Sequence, residues 1–328
     1  MDVYRVSASA IERHQVEDLK FLLTQEDGFV WVDIPVCDEQ AATVLSELFG
    51  FHPLAIQDCL VRTHIPKVHT YTDHLFIILH APEPGTASHI HLLELDQFVG
   101  QRYLVTVHGP LGAGVPLDTA LRETHAALHR IEEGRYRPSC PAALSYTIVS
   151  ALDRRMETLM SALATKVAAL EREIMTGPIA APEQLLEAMF ELRHELLTFR
   201  TIAAHSSEVY ARLTKLAPQF MSPAERLFVE DLTDQFDRVR NICDGEQAFL
   251  QGVIDFYQTR TITKLNIAME RLALITALLL PVTAVASIYG MNIIVFPETN
   301  LGQVVVALAV IVAIMAVMFQ WVKRQGWW

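Results

Sequence analysis

Charge is what the C-terminal end of this chain lacks. The 51 residues from Leu272 to Val322 contain no Lys, Arg or Asp, and one acid, Glu298. A surface in contact with water is not built that way. Two apolar runs fill the gap, Leu272 to Tyr289 and Val304 to Val322, of eighteen and nineteen residues. Each meets the roughly 17 to 25 residues that a helix needs to cross a ~30 Å hydrocarbon core. The expected structure is a membrane hairpin with spans at 272–290 and 304–322, joined by a loop at 291–303 and followed by a tail at 323–328.

Other absences exclude whole classes of chemistry. The four cysteines, Cys37, Cys59, Cys140 and Cys243, form no C-x-x-C pair. They read as reduced packing residues, not as a disulfide or zinc framework. There is no H-E-x-x-H, no G-x-S-x-G, no Walker loop and no dinucleotide fingerprint. The Gly109 to Gly114 loop lacks the Lys-Ser/Thr of a phosphate cradle. The chain is therefore expected not to be an enzyme and to carry no organic cofactor. No basic-plus-apolar leader opens it, so residues before the spans are expected in the cytoplasm. A net charge of −12 argues against a nucleic-acid partner and suits the attraction of cations.

Basic residues give the orientation. Lys264 and Arg271 precede the first span, Lys323 and Arg324 follow the second, and the loop between has neither Lys nor Arg. The positive-inside rule then places both termini in the cytoplasm of a multi-pass protein of the inner or plasma membrane. Trp321, Trp327 and Trp328 fit an aromatic anchor at the inner interface.

Residues 1–138 read as a cytoplasmic α/β domain. Strands are expected at Phe29–Ile34, His74–His80, Leu92–Val99 and Tyr103–Val107. Helical spacing marks Ile11–Leu23, Glu39–Phe49 and Leu117–Arg130, with Pro116 suited to a first helical position. Arg135–Pro141 reads as a linker. Residues 139–221 form a paired-helix arm, since Ala142–Met175 has no Gly or Pro, Gly177-Pro178 breaks it and a second helix starts near Pro182. Ser222-Pro223-Ala224-Glu225 then makes a capping box. After it nothing forces a stop before Gly290, so 222–271 is a stalk helix continuing into the first span. Such a helix is ~100 Å long at 1.5 Å per residue. It cannot bury its apolar stripe alone, which predicts a symmetric oligomer.

The first span carries a polar stripe. Asn266, Met269, Leu272, Thr276, Leu280, Thr283 and Ser287 are spaced by 3 or 4 and share one helix face. Around a symmetry axis this face would line a pore, with oxygen-bearing rings and apolar rings that gate by dewetting. Small polar residues also serve plain helix packing, and pattern alone leaves both readings open. At the outer end, Tyr289-Gly290-Met291-Asn292 offers a helix stop, terminal carbonyls whose dipole favours a cation, and a neutral amide oxygen. Neutral oxygens could hold Mg2+ by its water shell, which it sheds reluctantly. Glu298 would concentrate cations at the mouth.

These residues carry a family resemblance. Lys264-Leu-Asn266-Ile-Ala-Met269, Leu280-Pro281-Val-Thr283, Tyr289-Gly290-Met291-Asn292 and Phe296-Pro297-Glu298 strongly resemble the CorA family of magnesium transporters. A weaker N-terminal match lies at Leu54-Ala-Ile-Gln57-Asp58 and Ile65-Pro66-Lys67-Val68. The resemblance implies an α+β membrane protein assembled as a homopentameric funnel in the lipid bilayer, passing hydrated divalent cations. It puts Asn266, Met269, Leu272, Leu280 and Thr283 on the pore and Gly290, Met291 and Asn292 at the selectivity entrance. It implies that Asp58, with the stalk acid Asp255 of a neighbouring subunit, holds a regulatory Mg2+ that closes the pore. Gln57, Glu270, Phe296 and Ser287 depart from the family's usual residues. Gln57 would weaken that regulatory site.

Two rivals follow from other signals. All thirteen histidines lie before position 206, and His89 and His91 would share a strand face as a transition-metal pair, or be ordinary histidines. That feeds the reading of a Zn2+, Co2+ or Ni2+ transporter of the same superfamily, with or without proton coupling. The zinc-transporting branch, however, lacks an intact Gly-Met-Asn. The remote rival is a membrane-anchored metal sensor or metalloenzyme.

Overall fold

The computed structural model describes all residues except 9, 86–88, 113, 178–181, 217–220, 291–300 and 325–328. At 288–290, 301, 303, 304, 307 and 322 it describes the backbone alone. The chain divides into two units, Met1–Val253 and Ile254–Trp328.

The first unit is built on one seven-stranded sheet. Its strands are β1 (Asp2–Val6), β2 (Ile11–His14), β3 (Phe29–Ile34), β4 (Lys67–Thr70), β5 (His74–Pro84), β6 (Ile90–Gly100) and β7 (Tyr103–His108). Their order is β2-β1-β3-β7-β6-β5-β4. Only β3 and β7 pair in parallel. The central strands are buried on both faces, which is why Phe29–Ile34 reads as a continuous apolar run and not as an alternation. Gly28 has φ +76°, and a Cβ there would sit 2.3 Å from the Val6 carbonyl oxygen, so the turn into β3 requires glycine.

One sheet face packs on three short helices, α1 (Leu19–Leu22), α2 (Glu39–Glu47) and α3 (Pro53–Leu60). Val32, Phe76, Ile78, Phe98, Val105 and Val107 of the sheet meet Leu19, Leu45, Ala55 and Cys59 there. Asp38 caps α2, accepting from the Ala41 amide at 2.8 Å. The helices α4 (Leu117–Ala120), α5 (Arg122–Glu132) and α6 (Pro141–Thr176) follow. Ser145 of α6 donates to Gln97 of β6 at 2.5 Å. Arg155 of α6 is buried and donates to Glu123 of α5 at 2.9 Å and to Glu83 of β5. A buried cation with two acids ties three elements together.

Three long helices complete this unit: α6, α7 (Pro182–Leu216) and the part of α8 before residue 254. Met160 of α6 meets the Cys243 thiol of α8 at 3.4 Å, and Tyr210 of α7 stacks on Phe236 of α8 with centroids 5.6 Å apart. The α8 helix runs unbroken for 68 residues, Pro223–Gly290. Its start is the expected capping box: the Ser222 amide donates to Glu225 Oε2 at 2.8 Å, and the Glu225 amide to Ser222 Oγ at 3.4 Å. The second unit holds the rest of α8 and α9 (Leu301–Arg324).

Several expectations need correction. Ile11–Leu23 is not one helix but the edge strand β2, a 3-10 turn at Val16–Asp18 and the single turn α1. Ile11–His14 pairs with β1 through its backbone, and its one apolar residue gave no strand alternation. Leu117–Arg130 splits in two because Leu121 sits at φ −84°, ψ 0°, outside the helical well. Pro116 stands at the cap, one place before the first helical residue. β1, β4 and α3 are elements the pattern did not signal. The four cysteines are free thiols, as expected.

Candidate pore-lining site

From residue 254 on, Tyr257 and Leu274 alone are buried among the described residues. In the most apolar 18-residue window of α8, only 6 % of residues are buried. Met269 is 53 % exposed, and Leu272 and Leu280 are each 65 % exposed. Leaving one such side chain in water costs about 1.5–3 kcal/mol relative to burial. A helix with a dozen of them needs a cover of lipid or of other protein. Among the described residues it is the one helix long and apolar enough to cross a membrane; Leu308–Trp321 of α9 is a shorter apolar stretch.

All seven residues of the predicted stripe fall on α8, and all seven are exposed. Their hydroxyls have a defined direction. Thr276 donates to the Leu272 carbonyl at 2.9 Å, and Thr283 to the Leu279 carbonyl at 2.7 Å. Each hydroxyl spends its one proton on its own helix, so what remains available is lone-pair density. Those oxygens can accept but cannot donate, which suits the outward-pointing hydrogens of a hydrated cation. Pro281 sits inside the helix. It has no N–H, so the carbonyl of Ala277 lacks its ladder donor. Tyr289 and Gly290 are helical at the end of α8. Met291, Asn292 and Glu298 lie outside the described residues.

The predicted regulatory acids look different in the structure. Asp58 on α3 is ion-paired with Lys67 of β4 at 2.6 Å, both half-buried. Its charge already has a partner, which sequence reading could not see. Asp255 is exposed on α8, and its carbonyl accepts from Thr259 at 2.9 Å. His89 lies just before β6 and His91 within it, with ring centroids 4.9 Å apart. The pair meets, but among the described residues no three His, Cys, Asp or Glu side chains form a ready metal cage.

A polar site that the sequence did not signal lies between α5, α6 and α8. A cavity of about 380 Å³ is lined by Asp153, Glu157 and Asp231 alongside Arg130, Arg154 and Arg238. Asp153 is 2 % exposed and its Oδ1 has no protein partner. Burial foremost, then the charges of Glu157 and Asp231, pushes its carboxyl up to about 6. By contrast Asp231 accepts from the Tyr146 hydroxyl at 2.7 Å. These acids stand 78 residues apart on two helices, so no local motif joins them.

The model of the CorA-like Mg2+ transporter protein family matches residues 26–324. The chain therefore belongs to that family and is a divalent cation transporter of the CorA superfamily, a membrane protein and not an enzyme. The cobalt/magnesium transport protein CorA of Thermotoga maritima is 24% identical over 335 residues, covering 100% of this chain and 92% of that protein. The solved structure of the CorA magnesium transporter from Methanocaldococcus jannaschii superposes with a TM-score of 0.82 at 19% identity, over 100% of this chain and 99% of that one. The structure of full-length CmaX superposes with 0.77 at 17% identity, over 100% and 98%. At these identities the likeness of structures speaks for the fold.

Proposed function

We propose that the chain is a Mg2+ uptake channel of the inner or plasma membrane, working as a homopentamer with both termini in the cytoplasm. The observation that carries this reading is the uncovered α8 face, whose hydroxyls accept but do not donate. Residues 272–290 line the pore, 304–322 form the outer span and 291–303 the external loop. Five copies bring Asn266, Thr276 and Thr283 into oxygen rings, and Met269, Leu272 and Leu280 into dry rings that close by dewetting. Gly290, Met291 and Asn292 form the entrance, where the amide oxygen of Asn292 meets the ion's water shell and Glu298 raises the local cation concentration. Neutral oxygens hold the hydrated ion without trapping it, which carboxylates would do.

Cytoplasmic Mg2+ gates the pore in this reading. Asp58 and Asp255 of adjacent subunits are one acid pair for it, with Lys67 competing for Asp58. The partnerless carboxylate oxygen of Asp153 favours a second acid set, Asp153 with Asp231. The variants Asp255→Asn and Asp153→Asn separate them, since only the one at the operative site shifts the internal Mg2+ that inhibits flux.

The direct test is ion flux into proteoliposomes, compared for Mg2+, Zn2+, Co2+ and Ni2+ with and without a pH gradient. Saturable Mg2+ uptake without a gradient supports the reading. Uptake of Zn2+ alone, or uptake only with the gradient, replaces it with the transition-metal reading. Native mass spectrometry in detergent should give five copies. A transporting monomer or dimer would refute the pentamer.

A further inference from the structure

The charge balance of the chain reverses in its second unit. The whole sequence holds 26 Lys and Arg against 38 acids, but residues 254–328 hold five against three. Four of the five are exposed: Lys264 and Arg271 on α8, and Lys323 and Arg324 at the end of α9. Among the described residues none of these four has an ion-pair partner. They border the two apolar runs, Arg271 just before Leu272 and Lys323 just after Val322.

The α8 cations have a defined side. Lys264 and Arg271 are seven residues apart, so at about 100° per residue they lie about 20° apart around the helix. The mean direction of the stripe from Asn266 to Ser287 is about 145° away from them, close to the opposite side. Glu270 stands about 100° from Arg271, off this face. Apolar side chains share the cationic face. Ile267, between the two cations, is 43 % exposed, and Ile275, one turn beyond Arg271, is 54 % exposed. A face that passes from guanidinium to bare hydrocarbon within one turn matches a molecule with an anionic head and an acyl tail. Neither a free phosphate nor an acidic peptide supplies that tail. On α9, Trp321 is exposed two residues before Lys323, an amphipathic ring of the kind that sits at headgroup level.

We propose that Lys264, Arg271, Lys323 and Arg324 bind the phosphate groups of anionic phospholipids in the cytoplasmic leaflet, with Ile275 against the acyl chains. The proposal deepens the transport reading and rests on it in one respect: the stripe turns toward the axis, so the α8 cations turn away from it, toward lipid. Arg271 offers a planar fork that takes two phosphate oxygens, and Lys264 a compact charge on a flexible stem. An anionic leaflet attracts basic groups at its surface, and bound lipid supplies the counter-charge that the chain itself does not. The long helix is then held at headgroup level on the side away from the pore, and its anchoring depends on the lipid composition of the membrane.

The test uses the untagged full chain in detergent, titrated with phosphatidylglycerol or with phosphatidylcholine of matched chains. Native mass spectrometry counts the lipids bound. Phosphatidylglycerol should bind about tenfold more tightly or better. The doubles Lys264→Gln with Arg271→Gln, and Lys323→Gln with Arg324→Gln, should each reduce that preference about fivefold or more. Replacing Lys20 and Lys215, exposed cations of the first unit, with Gln removes the same charge and should leave the preference unchanged. Equal binding of the two lipids, or a preference lost equally with Lys20 and Lys215, would overturn the proposal. So would displacement of the lipid by excess glycerol phosphate, which would make the headgroup alone the ligand. If a double does not assemble, salt decides in the unaltered chain: added KCl should screen the preference away, and a preference indifferent to salt refutes the site. Mg2+ uptake is measured apart from the lipid count, so a chain that prefers phosphatidylglycerol but carries no Mg2+ supports this site and sinks the transport reading alone.

Discussion

Residues 1–253 and 254–328 meet opposite solvation problems. The first unit buries charge and pairs it. Asp33 accepts from Thr106 at 2.5 Å and faces His108 at 3.1 Å, and although burial works against its charge, those partners hold its carboxyl below the usual range. Arg155 sits between Glu83 and Glu123. The second unit has almost no charge between Leu272 and Val322, where Glu298 stands alone. Its threonines turn their protons onto their own helix, and its apolar side chains face outward. The difference teaches where to look for function. In the first unit the informative groups are buried polar atoms left without a partner, as at Asp153. In the second they are exposed atoms that only another subunit, a lipid or an ion can use.

Five substitutions sharpen or break that contrast. The largest effect is expected at the entrance: Asn292→Ala or Gly290→Ala should cut Mg2+ flux by about a hundredfold while five-copy assembly persists, as the loss of a coordinating ring implies. Near-normal flux in an assembled variant would take the entrance out of the argument. Next, Arg155→Met leaves the buried carboxylate of Glu123 facing an apolar side chain, while the part-exposed Glu83 keeps Arg122 at 3.6 Å. It should destabilise the first unit by about 3–5 kcal/mol, seen as a lower denaturation midpoint; an unchanged midpoint would mean the buried pairing is not structural. Leu280→Asn wets an apolar ring and should raise basal flux about fivefold with weaker closure by internal Mg2+. A flux at or below wild type would show that Leu280 is not a dry gate.

The smallest effect concerns Asp153. Its folded carboxyl is raised to about 6 from 3.8, so the native state holds the proton more tightly than the unfolded one. Stability then falls as pH rises from about 4 to 6 and stays lowered above that. Asp153→Asn should flatten this slope and add about 1–2 kcal/mol at pH 7.5, with no gain below pH 4. Denaturation of both proteins across that range checks it, and a parallel pair of curves would reject it.

Much of this was legible in the sequence. The strands at 29–34 and 103–107, the hairpin between β6 and β7, and the ends of α6, α7 and α8 follow from apolar runs, Gly177-Pro178 and the Ser222 box. The stripe was legible because helical spacing alone puts seven residues on one face. What was hidden depends on distant pairing. β1 and β4 are short and half-polar, and backbone bonds to β3 and β5 make them strands. Lys67 neutralising Asp58 joins residues of a helix and a strand, and the acid cavity draws on three elements. No local spacing encodes such meetings.

Pro281 gives the long helix a mechanical character. A regular α-helix resists bending along its whole length, because every turn is stitched by hydrogen bonds. Pro281 removes one stitch from the carbonyl of Ala277, four residues back. Bending compliance therefore concentrates there, as it does at prolines in other helices. Leu280 and Thr283 flank this notch in chain order. In the proposed pentamer this would set a dry ring and an oxygen ring at the hinge itself, so that a small flexure would change the width of both together while the remaining turns move as stiff rods.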